Sequence, residues 1–242
     1  MQDLGSAFRW CLIGFYTLGL GIPALAASLV DRSGRYMQFF GRIWSLGVLR
    51  LAGAQVEVHG RHHLRGEQAQ VIVANHQGYF DIFALLTVLR MPNAWMLKQE
   101  LLRIPIVGWC MARGGHVAVD RFDAARASRG LGEAEAKLRQ GISVVVFPEG
   151  TRSRDGQVQP FKKGAFLLAL RNQAPILPIS LSGSQHILAK GSFRLTPGVV
   201  RVVIHPPWPV KGLGVEAVED LIIKVRDQIV SGLGAEGPAV GG

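Results

Sequence analysis

His76 and Asp81 stand five residues apart in Asn75-His76-Gln77-Gly78-Tyr79-Phe80-Asp81, directly after the apolar run Val71-Ile72-Val73-Ala74. The run reads as a buried strand, and the polar residues after it read as a tight turn into a helix. A histidine at such a strand end can face a cleft. The aspartate, just over one helical turn further on, can curl back and hold the imidazole in one tautomer. That is a base with its orienter, the pair that activates a hydroxyl. Alone, the H-x4-D spacing is a weak signal, and a helix-capping or core histidine is the plainer account.

A second segment changes the balance. Val144-Val145-Val146-Phe147-Pro148-Glu149-Gly150-Thr151-Arg152-Ser153 is another apolar strand that ends in a polar turn. Pro148 stops the strand pairing, and Gly150 allows close backbone approach to a ligand. Glu149 and Arg152 then sit at a strand's carboxyl end, where α/β sheets place their ligands. Together the two segments resemble the glycerolipid acyltransferase family, whose type members are 1-acyl-glycerol-3-phosphate acyltransferases. The family's N-H-x-S-x-x-D block is matched with Gly78 in the serine position, and its F-P-E-G-T-R-S block is matched in full. Gly115-His116-Val117-Ala118-Val119-Asp120-Arg121 and Ala174-Pro175-Ile176-Leu177-Pro178-Ile179 resemble two further blocks, in the family's order. The likeness covers roughly half the chain, from about residue 71 to 182.

The resemblance implies acyl transfer from an acyl thioester, acyl-CoA or acyl-carrier protein, to a lysophospholipid, above all lysophosphatidic acid. It implies no metal and no cofactor beyond that co-substrate. His76 is then the general base and Asp81 its orienter. No serine, Ser153 included, lies in a nucleophile-elbow pattern, so attack is expected to be direct, without an acyl-enzyme. Cys110 lies in an apolar helix-like segment and reads as packing. Phosphate recognition calls for guanidinium forks and ammonium groups near backbone N–H donors. Arg121, Arg152, and Lys162 or Lys163 with Gly164 are the candidates. By resemblance, Arg121, Glu149, Gly150, Thr151 and Arg152 shape the acceptor site. The Phe161-Lys162-Lys163-Gly164 stretch supplies a phosphate-binding lysine, and the family spacing of lysine, one residue, then glycine favours Lys162. Besides Gly78, the chain departs from the family at His116, where an aliphatic residue is usual. Three other readings stand beside this one. The first is the same chemistry on a lyso-ornithine lipid or another lysophospholipid. The second is a non-catalytic, membrane lipid-binding protein on the same fold. The third is a hydrolase using His76-activated water.

Elements must be placed to hold these groups. Strands are expected at 55–58, 70–74, 94–97, 116–119, 142–147, 176–181 and 199–204, with helices at 80–89, 124–140, 165–172 and 216–233. Such alternation implies an α/β fold: a mostly parallel central sheet flanked by helices. An N-terminal hydrophobic two-helix membrane element precedes it. Residues 10–30 carry no charge over 21 positions, enough to cross a bilayer. In 35–51, Arg35, Gln38, Arg42 and Ser45 fall on one helical face, against Met37, Phe40, Ile43, Trp44 and Leu51. That describes a basic-striped interfacial helix. The expected division is 1–51 membrane anchor, 52–233 catalytic domain and 234–242 flexible tail. Ala24-Leu25-Ala26 resembles a signal-peptide cleavage site. Against it, the arginines after the apolar run (Arg32, Arg35, Arg42, Arg50) favour an uncleaved anchor with the catalytic domain cytoplasmic.

The net charge is +10 over 242 residues, a balance that suits an anionic membrane surface or an acidic protein partner. Nucleic acid is not expected, since no binding motif appears and aromatic residues do not interleave with a basic run. The two cysteines, Cys11 and Cys110, lie far apart and indicate neither a disulfide framework nor a metal site. His59, His62 and His63 lack cysteine or carboxylate at ligand spacing and read as a solvated turn.

Overall fold

The apolar runs become the strands of one sheet, and the periodic segments between them become its helices. The computed structural model describes residues 2–31, 34–64, 68–119, 124–153, 156–189 and 191–234. In chain order the elements are α1 (Gln2–Ala27), α2 (Arg35–Ala52), β1 (Ala54–His59), β2 (Val71–Ala74), α3 (Phe80–Val88), β3 (Asn93–Lys98), α4 (Val107–Arg113), β4 (Val117–Val119), α5 (Ala124–Arg139), β5 (Ser143–Val146), α6 (Gly164–Asn172), β6 (Ile176–Ser182), α7 (Ser184–Ile187), β7 (Gly198–Ile204) and α8 (Val218–Ser231). The strand order is β1-β7-β6-β2-β5-β3-β4. The five strands from β6 to β4 are parallel; β7 runs antiparallel to β6, and β1 pairs parallel with β7.

β2 and β5 are buried on both faces, as central parallel strands must be. Alternate residues serve two cores. Ile72, Ala74 and Val145 pack with Phe80 and Leu85 of α3, whereas Val71, Val73, Val144 and Val146 pack with Phe166 and Leu168 of α6 and with Val225 of α8. The carboxyl ends of β2 and β5 therefore emerge side by side, carrying the two polar blocks.

The N-terminal helices form a hairpin that is pinned at its crossing. A Cβ on Gly47 would lie 2.2 Å from the Tyr16 ring, so α1 approaches α2 at a glycine. Tyr16 donates its hydroxyl to the Ile43 carbonyl at 2.8 Å, and Trp44 Nε1 donates to Thr17 Oγ1 at 2.9 Å. The hairpin is not set apart from the catalytic domain. Ile13, Val48, Leu49 and Ala52 belong to the same buried cluster as Ile72, Phe80, Leu85 and Val202.

The orientation of α2 differs from the sequence expectation. Its buried ridge includes Met37, Ser45, Val48 and Ala52, and Gln38 donates inward to the Asn93 carbonyl at 3.2 Å. Burying Met37, Val48 and Leu49 on this ridge outweighs burying one serine hydroxyl. The outward surface accordingly carries Tyr36, Phe39 and Leu46, beside Leu4, Phe8, Phe15 and Ile22 of α1. Apolar residues, not a basic stripe, dominate this outer face.

Candidate active site

Asn75 ends β2 by behaving like a strand residue turned sideways. Its side chain accepts from Leu181 N at 2.7 Å and donates to Leu181 O at 2.9 Å. This fixes the start of the turn to β6, and His76 follows it. Asp81 lies in the first turn of α3 and is fully buried. One oxygen, Oδ2, takes three donors: His76 Nδ1 at 2.8 Å, Gln77 N at 2.7 Å and Gly78 N at 2.8 Å. A carboxylate oxygen can only accept, so Nδ1 carries the proton and the imidazole lone pair is on Nε2. The His76 ring lies flat on Phe147, with centroids 4.1 Å apart and planes at 15°. Its side chain keeps 13 % exposure, enough for a substrate hydroxyl to reach it.

The block after β5 wraps round this pair. Gly150 turns the chain at φ 76° and donates to the Phe147 carbonyl at 3.1 Å. Ser153 N donates to the His76 carbonyl at 2.8 Å. Arg152 lies over the Tyr79 ring, 3.7 Å from its centroid, which holds the guanidinium plane beside the cleft. Thr151 is exposed. Lys162 and Lys163 are both exposed, but Lys163 Nζ pairs with Glu219 of α8. The Lys162 ammonium makes no ion pair among the described residues, and its backbone N–H is tied to the Pro148 carbonyl at 3.0 Å. Gly164 is the exposed first residue of α6. Arg121 lies outside the described residues.

Glu149 is turned inward. Oε1 accepts from His76 N at 2.7 Å and Oε2 from Gln159 N at 2.9 Å, so the carboxyl straps two loops together. Burial pushes its pKa up to about 7. The two backbone N–H groups and Arg226 oppose that rise, and the Asp81 charge adds to it. The consequence for stability has a definite sign. Below the ordinary glutamate value, near 4.3, both folded and unfolded states are protonated and the fold bears no penalty. As pH rises through about 7 the folded chain must carry a buried charge, and stability on the order of 3 kcal/mol is lost. Glu149→Gln is therefore expected to flatten the fall in unfolding midpoint between pH 5 and 8. Midpoints that fall as steeply in the variant as in the parent would count against this role.

His116 is half-buried at the edge of an apolar cavity. Its Nδ1 accepts from Trp95 N at 3.2 Å, and burial, helped by Lys137, lowers its pKa to about 4, so it is neutral. Cys110 is half-buried with its Sγ 3.8 Å from the Gly21 carbonyl, and burial raises its thiol pKa. Sequence reasoning singled out His76, Asp81, Glu149 and Arg152, and the fold brings all four together. It passed over the Asn75 clamp, the Phe147 platform and the Tyr79 seat of Arg152. The polar Asn75 at the end of an apolar run was a readable sign of the first.

A strand-end histidine with a buried orienting aspartate, walled by an arginine-bearing turn, defines a class of enzyme that acts on an acceptor hydroxyl. Residues 55–182 match the family model "Acyltransferase", and the chain belongs to that family. It is similar to 1-acyl-sn-glycerol-3-phosphate acyltransferase alpha of Homo sapiens, 37% identical over 191 residues, spanning 78% of this chain and 68% of the relative. The Mus musculus protein of the same name is 36% identical over 227 residues, 93% of this chain and 79% of the relative. Among solved structures, the crystal structure of the 1-acyl-sn-glycerophosphate (LPA) acyltransferase PlsC from Thermotoga maritima superposes with a TM-score of 0.83 at 29% identity, covering 98% of this chain and 97% of that one.

Proposed function

We propose that this acyltransferase moves a fatty acyl chain from an acyl thioester to the free hydroxyl of lysophosphatidic acid, giving phosphatidic acid. The observation that carries the chemistry is the His76 Nδ1 to Asp81 Oδ2 contact of 2.8 Å, which leaves Nε2 as the free base. Nε2 takes the proton from the acceptor hydroxyl while the oxygen adds to the thioester carbonyl. The tetrahedral intermediate then breaks its C–S bond, and the imidazolium returns the proton to the departing thiolate. Atoms balance with no acyl-enzyme and no redox partner. Asp81 stabilises the transient imidazolium and fixes its tautomer. The relatives named for 1-acyl-sn-glycerol-3-phosphate support the acceptor.

Arg152 and Lys162 are the cations we assign to the acceptor's phosphate; Arg152 seated over Tyr79 and Lys163 engaged by Glu219 support that choice. The donor, acyl-CoA or acyl-carrier protein, needs room for its chain. The apolar cavity beside His116, of about 360 Å³, lies between α1, α2, α3 and α4, lined by Leu20, Met37, Phe40, Trp44, Leu86 and Met111 among others; neither His76 nor the 147–153 turn lines it, so a chain held there would have to reach the base from the side. The cavity's size falls within the range of about 300–1,000 Å³ usual for ligand pockets. Replacing Arg152 with alanine is expected to raise the KM for lysophosphatidic acid by about tenfold or more, the scale of a lost charge-assisted hydrogen bond. The KM for the thioester should hardly move. Saturation curves for each substrate decide it, and an effect confined to the thioester would move Arg152 to the donor side. A labelled acyl thioester offered to a panel of lysolipids, with products identified by mass, tests the acceptor itself. Free fatty acid without an acceptor would mark a hydrolase.

The hairpin supports a membrane location for this site. Within Leu4–Ala27 an 18-residue stretch reaches a mean hydropathy of 1.6, and the helix is long enough to cross a bilayer. Yet α1 is held to the catalytic domain along its length. Leu195 N donates to Ser6 Oγ at 3.1 Å, Trp10 Nε1 donates to the Phe193 carbonyl at 2.7 Å, and Gly21 abuts Ile106. A helix fastened at both ends to a water-soluble domain favours lying in one leaflet over standing across two. The arginines after the apolar run favour the cytoplasmic leaflet.

A further inference from the structure

Five buried side-chain polar atoms lack a hydrogen-bond partner among the described residues. Four of them cluster by sequence at the turn after β2 and at α7: Gln77 Oε1, Asp81 Oδ1, Ser184 Oγ and Gln185 Oε1. Two of these are not on the surface at all, since Asp81 and Ser184 are both fully buried. Ser184 reaches this place by a forced corner. Gly183 adopts φ 89°, and a Cβ there would stand 2.1 Å from the Val199 carbonyl oxygen, so glycine alone fits. The corner presses Ser184 against Gly78. A Cβ on Gly78 would lie 2.8 Å from Ser184 Oγ and 3.0 Å from its carbonyl carbon and oxygen. Gly78 in turn donates its N–H to Asp81 Oδ2 at 2.8 Å. One glycine thus separates the buried hydroxyl from the carboxylate that orients His76.

The two orphaned atoms are chemically complementary. Asp81 Oδ2 takes three donors and Oδ1 takes none. A buried carboxylate oxygen without a donor is unfavourable. The nearby glutamine oxygens are acceptors and cannot supply one, whereas a serine hydroxyl can. We propose that Ser184 is a positioning residue for the His76–Asp81 pair, donating its hydroxyl to Asp81 Oδ1 through one bridging water. The idea rests on His76 being the base. Ser184 does not meet substrate, because it has no exposed surface. It acts by fixing the plane of the carboxylate and by drawing part of its charge away from the imidazole. Asp81 from α3 meets the imidazole itself, Glu149 after β5 holds the His76 backbone N–H, and Arg152 lies over Tyr79 in the same turn.

Removing the hydroxyl leaves more of the carboxylate charge facing His76, so the imidazole should hold its proton to higher pH. The full chain in detergent is compared with Ser184→Ala, Ser184→Cys and Ser184→Thr. The His76 ring signal is identified by its loss in His76→Ala and is titrated by NMR. Ser184→Ala is expected to raise the His76 titration midpoint above that of the parent. It should lower kcat about tenfold near neutral pH while the KM for both substrates stays put. Threonine should restore most of both, and cysteine, a weak donor, should fall between. The unfolding midpoint supplies an independent reading. A hydroxyl without a partner weakens the fold, so Ser184→Ala would then be more stable, whereas a bridged hydroxyl makes it less stable. An unchanged His76 midpoint, or a more stable alanine variant, overturns the proposal. If the alanine variant does not fold, a cysteine variant with the parental His76 midpoint overturns it equally. The titration needs no turnover, so it separates this proposal from the reading of His76 as base, which fails if His76→Ala stays active.

Discussion

His76→Ala should lower turnover by about two to four orders of magnitude, the usual worth of a positioned general base. The fold should survive the change, because the backbone contacts of His76 to Glu149 and Ser153 do not involve its side chain, and the Gln77 and Gly78 N–H groups still hold Asp81 Oδ2. Asp81→Asn should also be severely impaired, for a more specific reason. Oδ2 accepts from Nδ1 and from two backbone N–H groups. An amide that keeps its oxygen on those two N–H groups can still orient the ring but no longer balances the imidazolium. An amide turned the other way puts a donor against Nδ1 and forces the proton to Nε2, which removes the base. Thioester-dependent acylation of lysophosphatidic acid, measured beside circular dichroism of each variant, checks both. Near-normal turnover by a correctly folded His76→Ala protein would sink the mechanism.

The parts of this site legible in the sequence are those whose signal is local. The runs before His76 and before Phe147 are short, apolar and bounded by polar turns, and they became β2 and β5 at those positions. The H-x4-D spacing is local too, because α3 begins at Phe80 and brings Asp81 back over the turn. What pattern could not give is direction and tilt. Nothing in 199–204 announces that β7 runs against β6, since an apolar strand reads alike either way. The short helices α4 and α7 fall below the length at which a helical period can be read. α7 nonetheless sets Ser184 against the turn.

Other features were illegible because a side chain's partner lies far away in sequence. The resemblance implies that Glu149 helps to shape the acceptor site, and no local pattern shows that both its oxygens hold backbone N–H groups, one of them 73 residues away. Spacing favours Lys162 over Lys163 only through the family pattern, and the pairing of Lys163 with Glu219 on the distant α8 is a difference no local pattern shows. The polar marks on α2 suggested a wet stripe. The helix instead rolls so that the Met37, Ser45, Val48 and Ala52 ridge meets the core, because burying Met37, Val48 and Leu49 gains more than one buried hydroxyl costs.

That roll changes what removing the N-terminal hairpin should do. By sequence alone a chain starting near Ala52 ought to be a freer, more soluble catalytic domain. In the fold, Ile13, Val48 and Leu49 are part of the core shared with Ile72, Phe80, Leu85 and Val202. Fully burying each such side chain contributes about 1.5–3 kcal/mol, so losing the three takes away about 4–9 kcal/mol. That is comparable with the whole stability of an ordinary domain, about 5–15 kcal/mol. Deleting residues 1–51 is therefore expected to yield aggregated or unfolded protein rather than a soluble enzyme. The intact chain should stay with membranes through a high-salt wash, because its outward face presents Phe8, Phe15, Ile22 and Phe39 rather than charges that salt would screen. Size-exclusion chromatography and thermal unfolding of the truncated chain decide the first expectation, and a cooperative, monodisperse product would refute it. N-terminal sequencing of the membrane-bound protein decides a connected point. A start at Ala27 would mean that α1 is removed after export, and neither the shared core nor the cytoplasmic placement could then hold.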